Sequence, residues 1–408
     1  MNTGIRKQLF RGINWLSRRF FASRLSFAHI QAFLFNNSFR KLANFIKVHR
    51  TMKKGLETVD CYPYLFVMEV TNVCNLKCPF CLTGKGISGG RDVRHMKFEE
   101  AKRILDEVGD YLYFLQVYTW GEPLLNKDII RIIEYAKQKN IYVMLSTNAT
   151  AMTPAYNRRL LDSGIDYIMV AIDGGSRESY QIYRRGGDYD KVMANVRDLL
   201  AQREERGSGK PFVEWQFIVF RHNEHEVEST EKMAYAMGIN KFTPLPAYVE
   251  DEDWAATDPR YRTDLGNPER LYNCDRPWSH LNVRADGGVA SCCYTFFKKD
   301  DFAEISDGPF MEVWNNDKFR TARRIIARTR KGLPLEKSDI ACYDCMRTGI
   351  RPSFIEVAPE VELEAPGGKK PSSASVQPSG TELPALKDGF HDGERQGLAG
   401  HDPGTGAK

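Results

Sequence analysis

Short apolar runs alternate with segments of helical periodicity between residues 64 and 245. The runs have the length of strands, and the segments between them repeat apolar residues at the spacing of one helix face. This pattern predicts a series of strand–helix units. The predicted strands are 64–70, 114–118, 141–145, 167–172, 213–220 and 241–245, and the predicted helices are 98–108, 127–138, 154–163, 190–205 and 227–237.

Six such units predict a parallel sheet, because parallel neighbours are joined by crossover helices. We therefore expect an α/β fold, a partial (β/α)6 barrel over residues 60–250. Parallel barrels carry their functional groups at the carboxyl ends of the strands. Each motif described below for the barrel follows one of the predicted strands.

The N-terminal segment 1–55 predicts basic, amphipathic helices. It contains twelve Lys or Arg residues and no Asp or Glu, so the rest of the chain carries 46 basic against 53 acidic side chains, a net charge of −7. The segment either lies in the interface of an anionic membrane or packs on the barrel, and its aromatic density argues against a transit peptide. Its two apolar stripes are Leu9, Ile13, Leu16 and Phe20, and then Phe39, Leu42, Phe45 and Ile46.

Three cysteines follow the first predicted strand closely, in the spacing C-x3-C-x2-C. A 4Fe–4S cluster normally takes four cysteines, so the set Cys74, Cys78 and Cys81 would leave one iron open for an exogenous ligand. A zinc site usually shows paired ligands on both sides of a loop. A disulfide requires an oxidising compartment, which we do not expect because no signal peptide is recognisable before the motif. The spacing therefore favours an iron–sulfur cluster.

This cysteine loop resembles that of the radical S-adenosylmethionine (radical SAM) enzymes, and the resemblance extends to about residue 350. It implies that SAM binds the open iron and is cleaved reductively to a 5′-deoxyadenosyl radical, which abstracts hydrogen from a substrate. It also implies a reducing electron donor such as flavodoxin or ferredoxin. The matching SAM-contact residues would be Gly121, Glu122 and Pro123 after the second strand, Ser146 and Asn148 after the third, and Asp173 with Arg184 or Arg185 after the fourth.

Two details of these motifs stay open in the sequence. The family usually has glycine where this chain has Ala149, and either Arg184 or Arg185 could reach the SAM carboxylate. Arginine suits that task because its planar fork binds a carboxylate through two hydrogen bonds. The polar residues 221–226 after the fifth strand either line the substrate end of the barrel or cap the next helix.

A second cysteine group predicts an auxiliary cluster. Cys274, Cys292, Cys342 and Cys345 resemble the opening of the SPASM domain, in its shortened single-cluster form called twitch. Four thiolates would complete one 4Fe–4S cluster, and zinc is the structural alternative. We exclude Cys293 for two reasons: adjacent side chains of an extended segment are expected to point to opposite faces, and the spacing C-x12-G-x4-C through Gly287 selects Cys292.

The expected domains are the N-terminal extension 1–55, the barrel 60–250, the auxiliary domain 268–355 and a disordered tail 359–408, whose composition is too poor in apolar residues to fold. We expect a cytoplasmic enzyme, peripheral on the inner membrane face if residues 1–55 bind anionic lipid, and no nucleic-acid partner. The substrate is open among peptides, sugars and lipid-linked molecules. The alternative from another class is a non-catalytic iron–sulfur or zinc protein for electron transfer or docking, which would not need the SAM-contact motifs.

Overall fold

The computed structural model describes residues 27–249, 251–262 and 274–348, all within one compact unit. The predicted segments around Leu9–Phe20 and 359–408 lie outside the described residues. Helices and strands are numbered in chain order within the described part. The helices are α1 Phe27–Phe35, α2 Phe39–Lys54, α3 Phe98–Val108, α4 Ile129–Gln138, α5 Pro154–Asp162, α6 Arg177–Tyr183, α7 Tyr189–Glu205, α8 Val227–Ala236, α9 Arg276–Ser279, α10 Phe310–Trp314, α11 Asp317–Thr329 and α12 Ala341–Thr348, and the strands are β1 Leu65–Met68, β2 Phe114–Gln116, β3 Tyr142–Thr147, β4 Tyr167–Ala171, β5 Phe212–Val219, β6 Lys241–Pro246, β7 His280–Val283, β8 Gly288–Ala290 and β9 Ala303–Glu304.

The strands form one sheet in the order β6-β5-β4-β3-β2-β1-β7-β8-β9. Strands β1 to β6 are parallel and follow one another in sequence order, with a crossover helix after each of the first five. This arrangement confirms the partial barrel. The pattern located all six strands to within a few residues, because their apolar runs are buried in the sheet.

The C-terminal segment extends the same sheet beyond β1. Strand β7 pairs in parallel with β1, and β8 and β9 follow it as antiparallel neighbours. The sequence pattern did not predict these three short strands. Their pairing places the second cysteine group at the β1 side of the barrel, beside the strand that leads into the first cysteine group.

A buried arginine connects the chain before β1 to the C-terminal part. Arg323 on α11 is 0% exposed and donates hydrogen bonds to the backbone carbonyls of Pro277, Glu57 and Trp314 at 2.8 to 2.9 Å. Burial lowers the pKa of Arg323 to about 9. Because the carbonyls belong to three separate segments, one side chain holds these segments together.

Helix α2 packs on the barrel through one face only. Ser38 caps its first turn, and Phe45, Val48 and Met52 are buried against the core. The predicted stripe is divided, since Phe45 faces inward while Phe39, Leu42 and Ile46 stay exposed. The helix thus belongs to the folded unit and still presents apolar side chains to solvent. No helix in the described ranges is long and apolar enough to cross a membrane.

Candidate active site

The loop that follows β1 carries the first three cysteines. The Cys78 thiol is buried and the thiols of Cys74 and Cys81 are half-buried, and all three interact electrostatically with one another. Burial raises the pKa of Cys78 to about 12, and the nearby Arg184 cation opposes this effect. The donor set therefore fits a cluster that binds thiolates, because the positive iron would supply the charge that a buried thiolate needs.

Gly121 lets the second motif approach this loop closely. A Cβ atom added at Gly121 would lie 2.2 Å from the carbonyl oxygen of Thr71 and 2.9 Å from that of Val73, both in the backbone. The next residue, Glu122, donates its backbone N–H to the Val73 carbonyl at 2.8 Å. Only glycine fits between these two segments without displacing one of them.

The Glu122 carboxylate organises the end of β3. It is buried and accepts hydrogen bonds from the Thr147 hydroxyl at 2.7 Å, the Asn148 backbone N–H at 2.7 Å and the Leu124 N–H at 3.1 Å. Burial raises the pKa of Glu122, and these hydrogen bonds counteract the shift. The sequence analysis did not include Thr147 among the site residues, although Thr147 stands between two residues that it did include, Ser146 and Asn148.

Asn148 connects the end of β3 to the cysteine loop. Its side-chain amide donates to the Asn75 side chain at 3.1 Å and lies 3.9 Å from the Cys74 sulfur. Ala149 adopts a left-handed conformation with φ of 60°, which explains why glycine is usual there in the family. Ser146 lies half-buried in β3. The turn is thus held by side-chain contacts despite its strained residue.

The structure distinguishes the two arginines that the sequence left open. Arg184 donates a hydrogen bond from Nε to the Asp173 carboxylate at 2.6 Å and forms an ion pair with it through Nη2, also at 2.6 Å, and both side chains are largely buried. Burial disfavours the Arg184 cation, but Asp173 and the Cys78 thiol raise its pKa. The Arg185 side chain is exposed, and its backbone carbonyl accepts a hydrogen bond from Lys77 N–H at 2.9 Å. Arg184 is therefore the arginine beside the cysteines.

An aromatic cluster covers the outer side of the cysteine loop. Phe80, between Cys78 and Cys81, lies 6.2 Å from Phe220 and 5.0 Å from Trp254, measured between ring centroids. His222 stacks on Phe220, and burial lowers the pKa of His222 to about 4. Trp254 comes from a loop without strand or helix periodicity, so the sequence pattern gave no sign of it.

The polar segment after β5 is mainly structural. Asn223 is 0% exposed, and its amide bonds the carbonyls of Asp173 and Ile218. Glu226 accepts hydrogen bonds from Ser176 and Ser179 at the start of α6. None of these contacts caps the next helix, α8, so the capping interpretation of residues 221–226 is wrong: Asn223 joins the ends of β4 and β5, and Glu226 binds the start of α6.

A cavity of about 180 Å³ lies beside Cys74, between the cysteine loop and the C-terminal part. Its walls include the aromatic pair Trp120 and Phe296, whose centroids are 5.0 Å apart, and the buried Glu69. Glu69 contacts the Arg284 guanidinium at 3.4 Å, and burial raises the pKa of Glu69. The cavity thus combines apolar and polar walls with one buried carboxylate, Glu69, and one buried guanidinium, Arg91.

The C-terminal cysteines also lie near one another. Cys274 interacts electrostatically with both Cys292 and Cys342, and Cys342 interacts with Cys345. Burial raises the pKa of Cys274. In the described residues, no set of three or more His, Cys, Asp or Glu side chains is close enough to hold a single metal ion. The four thiols are a suitable donor set for a larger iron–sulfur cluster.

One of the two reasons for excluding Cys293 is wrong, and the choice of Cys292 as the cluster ligand stays a prediction. Residues 291–294 form a bend and a turn rather than an extended segment, so adjacent side chains need not point apart. The Cys292 and Cys293 thiols hydrogen-bond each other, and the Arg276 guanidinium donates to the Cys293 sulfur at 3.3 Å. Cys293 therefore belongs to the same group of thiols.

Comparisons with known proteins identify both domains. Residues 68–230 match the family described as the radical SAM superfamily, and residues 274–346 match an iron–sulfur cluster-binding domain named SPASM. These two regions together cover more than half of the chain. The second match favours iron over zinc at the C-terminal cysteines.

Similar proteins are known among both sequences and structures. The AdoMet-dependent heme synthase of Methanosarcina barkeri is 29% identical over 43% of this chain, which spans 48% of that enzyme. The mycofactocin maturase MftC of Mycolicibacterium smegmatis is 26% identical over 72% of this chain and 84% of the relative. Crystal structures of Streptococcus suis SuiB, bound to S-adenosylmethionine or to precursor peptide SuiA, share the fold at a TM-score of 0.52 and 16% identity, covering 69% and 71% of this chain and 72% of SuiB.

The described fold, the two cysteine groups and the matched domains agree with one another. The chain therefore belongs to the radical SAM superfamily, as an enzyme that uses a 4Fe–4S cluster and S-adenosylmethionine and that carries a C-terminal domain for an auxiliary iron–sulfur cluster.

Proposed function

We propose that this enzyme oxidises a peptide substrate by two electrons, with Cys74, Cys78 and Cys81 holding the cluster that binds SAM. When bound, this cluster and SAM supply the 5′-deoxyadenosyl radical. The radical takes one hydrogen atom from the substrate. Cys274, Cys292, Cys342 and Cys345 would hold the auxiliary centre, which would supply the acceptor for the electron that the substrate radical loses together with one proton to water. A donor protein such as flavodoxin or ferredoxin would supply the electron for SAM cleavage and take this electron back.

One observation supports the first centre above the others. Four residues converge on the loop that carries the three cysteines: Gly121, Glu122, Asn148 and Arg184. Gly121 approaches the Thr71 backbone, Glu122 N–H bonds the Val73 carbonyl, Asn148 lies 3.9 Å from the Cys74 sulfur, and Arg184 interacts electrostatically with Cys78. An electron-transfer protein with the same cysteines would need no such convergence. We assign the SAM amino group to the backbone around Gly121, Glu122 and Pro123.

Arg184 is our candidate for the SAM carboxylate. Its guanidinium has more N–H donors than Asp173 engages through one hydrogen bond and one ion-pair contact, so a second carboxylate can share it. Asp173 then acts as a positioning residue, since it fixes the guanidinium beside the cysteine loop. Ser146 and Asn148 would contact the ribose or methionine part of SAM, and Arg185 has no assigned contact to SAM.

A peptide substrate agrees with the relatives. MftC is a maturase by name, and SuiB has been crystallised with a precursor peptide. The cavity beside Cys74 can take one side chain, because its volume is about 180 Å³. The test is to incubate the enzyme, SAM and dithionite with short peptides encoded beside its gene. We expect a peptide product lighter by two hydrogen atoms, and unchanged peptides in a reaction that still forms 5′-deoxyadenosine would contradict the peptide assignment.

We further propose that the N-terminal helices bring the enzyme to an anionic membrane surface. These two helices expose five large apolar side chains, Leu34, Phe35, Phe39, Leu42 and Ile46, with Phe39 87% exposed. Basic residues near an anionic surface contribute about 1 kcal/mol each. Flotation with vesicles containing phosphatidylserine should carry the wild type at low salt, and Phe39→Glu with Leu42→Glu should abolish it. An unbound wild type would refute this proposal.

The two centres can be separated by spectroscopy. In the wild type, addition of SAM should change the electron paramagnetic resonance (EPR) signal of the reduced clusters. A variant with Cys74, Cys78 and Cys81 replaced by Ala should keep about four irons, one cube on four cysteines, and its signal should ignore SAM. Zinc in that variant as purified, or a signal that responds to SAM, would contradict the assignment.

A further inference from the structure

The auxiliary cysteines are surrounded by arginine side chains. Arg276 donates to the Cys293 sulfur at 3.3 Å, Arg284 donates to the Cys292 carbonyl at 3.2 Å, and Arg330 donates to the Cys274 carbonyl at 2.7 Å. Two of them therefore hold the backbone of a cysteine. Only Arg276 places its guanidinium against a thiol.

These arginines differ in how their charge is balanced. Arg284 forms a buried ion pair with Glu69, and Asp275 interacts electrostatically with Arg330. Arg276 has no carboxylate within ion-pair distance among the described residues, and its largest electrostatic partner is the Cys292 thiol. The positive charge of Arg276 is therefore directed at the cysteine group.

The arginine beside the SAM-binding cysteines differs from Arg276, because a carboxylate balances its charge. Arg184, the cation beside Cys74 and Cys78, is neutralised by the buried Asp173. Iron–sulfur reduction potentials depend on the net charge near the cluster and on hydrogen bonds to the sulfur atoms. A cation that donates a hydrogen bond to a thiolate stabilises the reduced state, which is the more negative one.

We infer that Arg276 is a positioning residue that raises the reduction potential of the auxiliary cluster and thereby favours electron transfer from the substrate radical to it. The contact passes through Cys293, which itself bonds the cluster ligand Cys292. This inference rests on the proposed function, because the auxiliary centre is there the electron acceptor. It gives a role to the thiol that the sequence left unused.

The experiment uses the full-length chain with Cys74, Cys78 and Cys81 replaced by Ala, so that one cluster remains. Its midpoint potential is measured by EPR-monitored redox titration, and iron is counted in each sample. Arg276→Gln should shift the potential to a more negative value, disfavouring the reduced state by about tenfold, the effect of one hydrogen bond to a charged group. Arg276→Lys, which keeps the positive charge, should have a midpoint potential close to that of the background variant.

The matched control is Arg320→Gln, since Arg320 is exposed and pairs with Asp317 on the surface of α11. It should leave the potential unchanged. An Arg276→Gln variant with full iron and the parent potential would overturn the inference. If Arg276→Gln loses its iron, Arg276→Lys becomes the deciding variant. An Arg276→Lys protein that keeps its iron and has the midpoint potential of the background variant supports the role of the charge. Loss of iron in Arg276→Lys as well contradicts that role.

This test is independent of SAM cleavage. The background variant cannot bind SAM at the first site, so a failure of the proposed radical chemistry leaves the redox titration readable. Absence of any iron in the background variant would instead disprove the auxiliary cluster itself, which belongs to the proposed function.

Discussion

Replacing Asp173 by Asn should destabilise the barrel strongly, because it leaves a buried cation without its partner. Asp173 is 0% exposed. One of its carboxylate oxygens accepts a hydrogen bond from Arg184 Nε and forms an ion pair with Arg184 Nη2, while the other accepts the Ile218 N–H at 2.7 Å. In the variant, the new amide can keep only part of these bonds. Removing one member of a buried ion pair costs about 3–5 kcal/mol.

Two further variants make this value interpretable. Asp190→Asn breaks the surface ion pair of Asp190 with Arg177, in which the two side chains are 61% and 60% exposed. This change should lower the free energy of unfolding by at most about 1 kcal/mol. The double variant Asp173→Asn with Arg184→Met removes both members of the buried pair. It should lose less stability than the sum of the two single variants, because neither charge is left unpaired.

The measurement is equilibrium unfolding in urea, followed by circular dichroism, on all variants under the same anaerobic conditions. A loss of free energy of unfolding in Asp173→Asn as small as that in Asp190→Asn would refute the reasoning. So would a double variant whose loss equals the sum of the single losses.

Three further predictions concern the fit of single residues. Gly121→Ala should abolish SAM cleavage, because the new Cβ would lie 2.2 Å from a backbone oxygen. The control Gly209→Ala should keep SAM cleavage, because its Cβ would meet no atom within 4 Å. Equal rates of 5′-deoxyadenosine formation in the two variants would contradict this prediction. Since burial lowers the pKa of Lys41 from 10.5 to about 8, the unfolded chain binds more protons at Lys41 between these values, so the Lys41 contribution to stability should rise with pH across that window by roughly 3 kcal/mol. Urea unfolding at several pH values should show this rise as the change in the difference between the wild type and Lys41→Met, because the buried thiols act with the opposite sign in both proteins. Ala149→Gly should change the free energy of unfolding by less than about 1 kcal/mol, since relief of the left-handed strain offsets the loss of the methyl group. In the same assay, Ala149→Val should have a clearly lower free energy of unfolding than the wild type.

The fold of the barrel could be predicted because its strands are buried and apolar, so each apolar run in the sequence indicates a buried strand. The extension of the sheet by β7 could not, since its pairing with β1 joins residues far apart in sequence. The same limit applies to Arg323, whose three carbonyl partners lie on separate segments.

Within the site, spacing identified the cysteines but not their surroundings. Arg184 and Arg185 are chemically identical in the sequence, and only the position of Asp173 separates them. Cys293 was excluded on an assumed extended backbone, while the bend at residues 291–292 and the turn at 293–294 bring its thiol to Cys292. Such contacts depend on backbone conformation in loops, where residue periodicity carries no information.

The formation of 5′-deoxyadenosine tests the central assignment most directly. The reconstituted protein is incubated anaerobically with SAM and dithionite, and the product is quantified by chromatography with mass detection. The wild type and Cys61→Ala, which changes a buried cysteine outside both groups, should form it, whereas Cys74→Ala, Cys78→Ala and Cys81→Ala should each form none. Undiminished formation in Cys78→Ala, or none in the wild type, would contradict the account.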